Sequence, residues 1–207
     1  MNETEWLESQ SPEELLGNFP TEGHRIERKM RLVAVACCEA RFGRRLDRGL
    51  AESLTLATRL ADDRTVEAER AGMFQRRSLD PRTVTGALLN WHGFQAVART
   101  LQVLGAGWVY GHSLSSTPEH IAAYCQIIRD IMGNPFHAVA FAPDWQTSTA
   151  IAIARQMYDT RDFAAMPILA DALQDAGCEE AAVLDHCRGP GSHVRGCWVV
   201  DHVLARS

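Results

Sequence analysis

Apolar residues recur along this chain at three- and four-residue intervals rather than in alternation, which predicts helices almost throughout. The strongest pattern covers residues 25–42, where Ile26, Met30, Val33, Cys37 and Ala40 mark one stripe. Leu32, Val35, Ala36 and Cys38 fill much of the remaining circumference. A helix apolar nearly all round belongs in the centre of its fold. Gly43 supplies its stop. Ahead of it, Ser11-Pro12-Glu13-Glu14 reads as a capping box with proline at the first helical position. Trp6, Leu7, Leu15 and Leu16 should clamp this N-terminal segment, residues 1–20, onto the body.

Further amphipathic helices are predicted over 46–61 and, weakly patterned and exposed, over 65–77. Asp80 and Pro81 should start another that runs to about 104. Gly93 lies inside that pattern, so a break or a close helix crossing is expected near Trp91-His92-Gly93. Residues 105–116, with Trp108, Tyr110 and His112 among glycines, read as a packed or an exposed aromatic loop. Helices follow over 118–132, 147–158, 163–176 and 179–187, with a brief extended piece possible at 138–141 and Trp145 anchoring that loop. Ser192 should cap a last helix from His193 to Ala205. The fold expected is all-α: one domain, residues 1–207, of about eight to ten helices in successive hairpins.

Composition narrows this little. The chain has 207 residues, 46% of them hydrophobic and 7% aromatic, which suits an aliphatic helical core. The formal net charge of −5 argues against nucleic-acid binding by bulk charge. Lys29 is the only lysine among 21 basic residues. Arg41, Arg44, Arg45 and Arg48 gather at the end of the central helix, as helix-end complements or as an anion patch. Arg44, Arg45, Arg76 and Arg77 are the basis for an accessory role in a nucleoprotein complex. The acidic start, residues 1–11, is no signal peptide, and no apolar run is long enough to span a bilayer. A cytoplasmic protein with six reduced cysteines is the expectation.

Residues 185–204 concentrate the reactive side chains: His186, Cys187, His193, Cys197 and His202 around Arg188-Gly189-Pro190-Gly191. Three chemistries compete there. His193 and Cys197, four apart on a helix face, could join His186 or Cys187 as zinc ligands. Cys187 could be a nucleophile activated by His193 and a helix N-terminus. Arg188, Ser192, His193 and Arg195 could seat an anion or a partner's carboxylate at the start of the last helix. Against all three stands a plain stop, turn and cap between two helices.

Several phrases carry a resemblance: Ala34-Val35-Ala36-Cys37-Cys38, Gly133-Asn134-Pro135-Phe136, Leu169-Ala170-Asp171-Ala172-Leu173 through Ala176-Gly177-Cys178, and His186-Cys187-Arg188-Gly189-Pro190-Gly191 through His193-Val194-Arg195-Gly196-Cys197-Trp198-Val199-Val200-Asp201. On these the chain resembles an uncharacterised family of bacterial helical proteins. The resemblance spans nearly the whole chain, least over 65–111. It implies a single unit of bacterial origin and no catalytic residue. The leading functional expectation is therefore a non-catalytic adaptor or accessory subunit with a protein partner. The alternatives are a small metal-binding protein or enzyme centred on residues 186–197, and a subunit of a nucleic-acid complex.

Overall fold

A computed structural model describes residues 1–21, 23–43, 45–63, 66–77, 83–89, 92–105 and 116–206, with the side chains of 74–77 and 94 left out. It is all-helical: twelve α-helices and no strand among the described residues. In order they are α1 (Glu3–Glu8), α2 (Pro12–Leu16), α3 (His24–Phe42), α4 (Arg48–Asp62), α5 (Glu67–Arg77), α6 (Val84–Leu88), α7 (Gly93–Val103), α8 (Pro118–Met132), α9 (Ser148–Thr160), α10 (Met166–Asp175), α11 (Ala181–Arg188) and α12 (Trp198–Val203). By contacts the chain divides into two compact units, Met1–Ile128 and Arg129–Ser207, and the division falls within α8.

The first unit is built on α3. All residues from Arg28 to Cys38 are buried, as an all-round apolar helix requires. It packs against α7, α4 and α6. The expected break before α7 is a close approach. A Cβ built on Gly93 would overlap the Glu27 carbonyl oxygen and lie 2.8 Å from its carbonyl carbon. Trp6, Leu15 and Leu16 are buried, but Leu7 faces out, contrary to the clamp expected of it. Ser11 caps α2 by accepting from Glu14 N–H, yet Glu14 bonds Ser9 Oγ, so the reciprocal box is not made there. The complete box belongs to Asn2 and Glu5.

Of the α5 side chains described, all but one are exposed or half-buried, as the reading of 65–77 expects. Arg70 on α5 is 2% exposed. Its Nε donates to Glu67 at 2.6 Å, and its guanidinium donates to the Leu89 carbonyl at 3.2 Å. Arg31 donates to the Leu88 carbonyl at 3.1 Å. Two buried guanidiniums therefore satisfy the carbonyls at the end of α6, the pole at which cations are favoured. Arg28 lies within 3.1 Å of Asp62. Of the arginines expected to cluster at the end of α3, Arg41 meets His120 at 3.4 Å and Arg48 pairs with Glu52 on the surface. Arg44, Asp80, Pro81, Trp91, residues 106–115 of the aromatic loop, and the side chains of Arg76 and Arg77 lie outside the described residues.

None of the six cysteines forms a disulfide, and all are buried. Burial, with Cys38 and Cys125 adding to it, pushes the Cys37 thiol well up; burial, with Glu39, does the same to Cys38. A raised pKa means that the native state holds these protons above the ordinary thiol range near 8.5, where the unfolded chain releases them. Stability should therefore be intact below that pH and fall above it, by about 1.4 kcal/mol per pH unit for each such thiol. Urea unfolding at two alkaline pH values should show the loss, with a smaller slope in Cys37→Ala.

The second unit holds α9–α12 around one core. Ala150, Ala154, Met157, Leu169, Leu173, Val183, Val199, Val200 and Val203 line it. Thr147 caps α9 as expected, accepting from Ala150 N–H. Residues 133–142 form a loop without a strand. Trp145 anchors it, edge-on to Phe141 at 5.1 Å, while Phe141 stacks on His202 at 5.4 Å.

The last helix departs most from expectation. It begins at Trp198, with Cys197 as its N-cap, and not at His193. Gly196 is the physical reason. It adopts φ 96°, and Cys197 N–H donates to the Val194 carbonyl at 2.9 Å, closing a tight turn over 194–197. A glycine at positive φ suits that turn and weakens a helix interior.

Candidate metal centre

Four side chains of the second unit converge at this turn. Asp130 comes from the end of α8, His186 from the last turn of α11, His193 from the connecting loop and Cys197 from the start of α12. One ligand-type atom from each lies within 4.8 Å of all the others. His186 Nε2 is 3.2 Å from both Asp130 Oδ1 and Cys197 Sγ. His193 Nδ1 is 2.7 Å from the same Oδ1 and 3.9 Å from the same Sγ. Metal–ligand bonds near 2.0–2.3 Å in a tetrahedron separate the ligands by about 3.3–3.7 Å. The observed spacings bracket that range, so the four atoms need only small shifts to surround one ion.

The arrangement converges and does not relay. A Cys–His–acid relay puts the thiol on one ring nitrogen and the carboxylate on the other. Here each imidazole offers a single nitrogen to both. One nitrogen cannot hold a proton for the carboxylate and accept one from the thiol at once. The same nitrogen facing an oxygen and a sulfur is the geometry of a shared centre.

Electrostatics agree. Burial alone would raise the Asp130 carboxyl, but hydrogen bonds from His186 and His193, and their charge, outweigh it and hold it below the ordinary value. Burial and the Asp130 charge push the Cys197 thiol well up, so without a cation it keeps its proton. Its neighbours already favour an anionic oxygen, and a cation would make the sulfur anionic too. The second Asp130 oxygen accepts from Val194 N–H at 2.9 Å, which fixes the carboxylate and leaves Oδ1 facing the centre. Asp130 and His193 side chains are only 5% and 7% exposed, and Cys197 is fully buried. His186, at 19%, is the most accessible of the four. Trp198 covers it, with ring centroids 5.2 Å apart, and rests on Gly133, where an added Cβ would lie 3.3 Å from the indole.

Three of the four residues expected as metal ligands, His186, His193 and Cys197, are thus brought together. They meet for a different reason than a shared helix face: the turn at 194–197 folds them onto α8. Cys187 is not among them. It faces the core, and burial pushes its thiol up to about 12, with Asp130 and Cys178 adding to the effect. A nucleophile needs the thiolate at neutral pH, and the helix N-terminus expected to promote it is not formed at His193.

The residues expected to seat an anion do not converge. Arg188 points to Asp171 and Gln174, at 2.7 and 2.8 Å. Ser192 is exposed. Arg195 lies over the Tyr158 ring at 4.2 Å. The backbone N–H of Val194 does bind an anion, but that anion is the protein's own Asp130. Asp130 is the site residue that sequence reasoning missed. Its signal was a carboxylate within the apolar run Ile127, Ile128, Ile131, Met132, a placement that demands a buried partner.

No family model, curated protein or solved structure matches this chain.

Proposed function

We propose that this protein binds a zinc-class divalent ion through Asp130 Oδ1, His186 Nε2, His193 Nδ1 and Cys197 Sγ. The observation that carries the reading is the convergence of one oxygen, two nitrogens and one sulfur within 4.8 Å, at a buried point. Magnesium and calcium favour shells of oxygen, and this set has one carboxylate. Two imidazoles and a thiolate favour zinc, or cobalt(II) as its stand-in. On binding, the Cys197 thiol and the His186 Nε2 and His193 Nδ1 that donate to Asp130 give up their protons as the metal bonds form. An adaptor role in a bacterial assembly, through a protein partner, remains the use we propose for such a metal-bound helical scaffold.

Zinc that binds the native state alone must raise stability by mass action. At a free concentration 100 times Kd the gain is about 2.7 kcal/mol, or roughly 5–11 °C in the melting of a chain of 207 residues. Calorimetry with zinc and with a chelator should show that rise, and elemental analysis should find one zinc per chain. An unshifted melting temperature in excess zinc contradicts the reading.

A further inference from the structure

We infer that the ion serves as a staple: its occupancy sets how often residues 189–203 open from the core of the second unit. This rests on the metal-binding reading above and adds what the ion does. The segment has little to hold it locally. Residues 189–197 form no helix, and α12 has six residues, well under the about 12–15 that an isolated helix needs. Yet Cys197, Val199, Val200 and Val203 are fully or almost fully buried, so the core depends on the segment's position.

The four candidate ligands are placed to control it. Asp130 and His186 lie in helices formed by local periodicity, α8 and α11. His193 lies midway along the connection, and Cys197 is the residue on which α12 starts. An ion bonded to all four ties the middle and the end of the loose segment to two pre-formed helices. Every ligand position is then filled by protein, with no open position of the kind that catalytic zinc retains. Trp198, lying over His186 and Gly133, moves with the same closure.

Limited proteolysis of the full-length chain by an arginine-specific protease tests this, with a cobalt(II) spectrum recorded on the same samples. Arg188 precedes the segment and Arg195 lies within it, and exposed Arg45 in the first unit is the internal control. Metal removal should speed cleavage after Arg188 and Arg195 at least tenfold, leave cleavage after Arg45 unchanged, and be reversed by zinc. Cys197→Ser should be cleaved fast with or without zinc; His186→Gln is the second variant should that one not fold. A normal cobalt spectrum with equal cleavage rates overturns the staple and leaves the metal site standing. Absence of any cobalt spectrum overturns both.

Discussion

Asp130→Ala should cost the metal-free protein about 3–5 kcal/mol, the effect of removing one member of a buried charged network. The substitution leaves the Val194 N–H and the His193 Nδ1 facing a void, each having lost the partner it holds at 2.9 and 2.7 Å. It also removes the only oxygen donor of the centre, so zinc should no longer rescue the melting temperature. The pH dependence gives an independent check. The native Asp130 carboxyl is held below its ordinary value, so its stabilising effect is complete above the usual carboxylate range near pH 4. It is lost as pH falls through the depressed native value. The stability gap between wild type and Asp130→Asn should therefore be widest at neutral pH and close in acid. A gap that stays constant down to pH 2 would mean that the carboxylate's charge is not what matters.

Gly93→Ala should have a comparable effect in the first unit, about 3 kcal/mol or more. Its one added carbon has no free volume. The obstacle is the Glu27 backbone near the start of α3, which cannot swing away as a side-chain tip can. Relief requires moving α7 off the helix on which the unit is built. Gly17→Ala is the control, since its φ of −62° suits any residue and an added Cβ would make ordinary contacts. Denaturant unfolding should show a large loss for the first and a change within about 0.5 kcal/mol for the second. Equal losses would show that the close approach of α3 and α7 is not real.

Local signals carried most of the helical reading. Residues 24–42 were legible because periodicity, all-round apolarity and Gly43 agree on one element. Thr147 and Pro12 were legible because a cap needs only its own neighbours in sequence. What local pattern could not give was the destination of long-range polar groups. Arg70 reads as a surface residue until the carbonyls at the end of α6 are seen to need it. Asp130 reads as an interruption of an apolar stripe until Val194 and His193 arrive from 64 and 63 residues away.

The last helix shows a conflict of local signals. Ser192 is a good cap, and periodicity continues through Cys197 and Val200, so a helix from His193 was the natural expectation. Gly196 opposed it and won by closing the turn over 194–197, while the Val194 N–H, which a helix start would also have left free, is taken by the Asp130 carboxylate. The same turn brings His193 and Cys197 beside Asp130 and His186 as candidate ligands, with Cys187 left in the core and Asp130 in its place. The boundary between the two units was hidden because it lies within the continuous pattern of α8.

The most direct test is cobalt(II) titration of the reduced protein, read by its thiolate-to-cobalt charge-transfer absorption. The account predicts saturation at one equivalent, displacement by zinc, loss of the band in Cys197→Ser and its retention in Cys187→Ser. No charge-transfer band in the folded wild type, or a band that depends on Cys187 and not on Cys197, would contradict it.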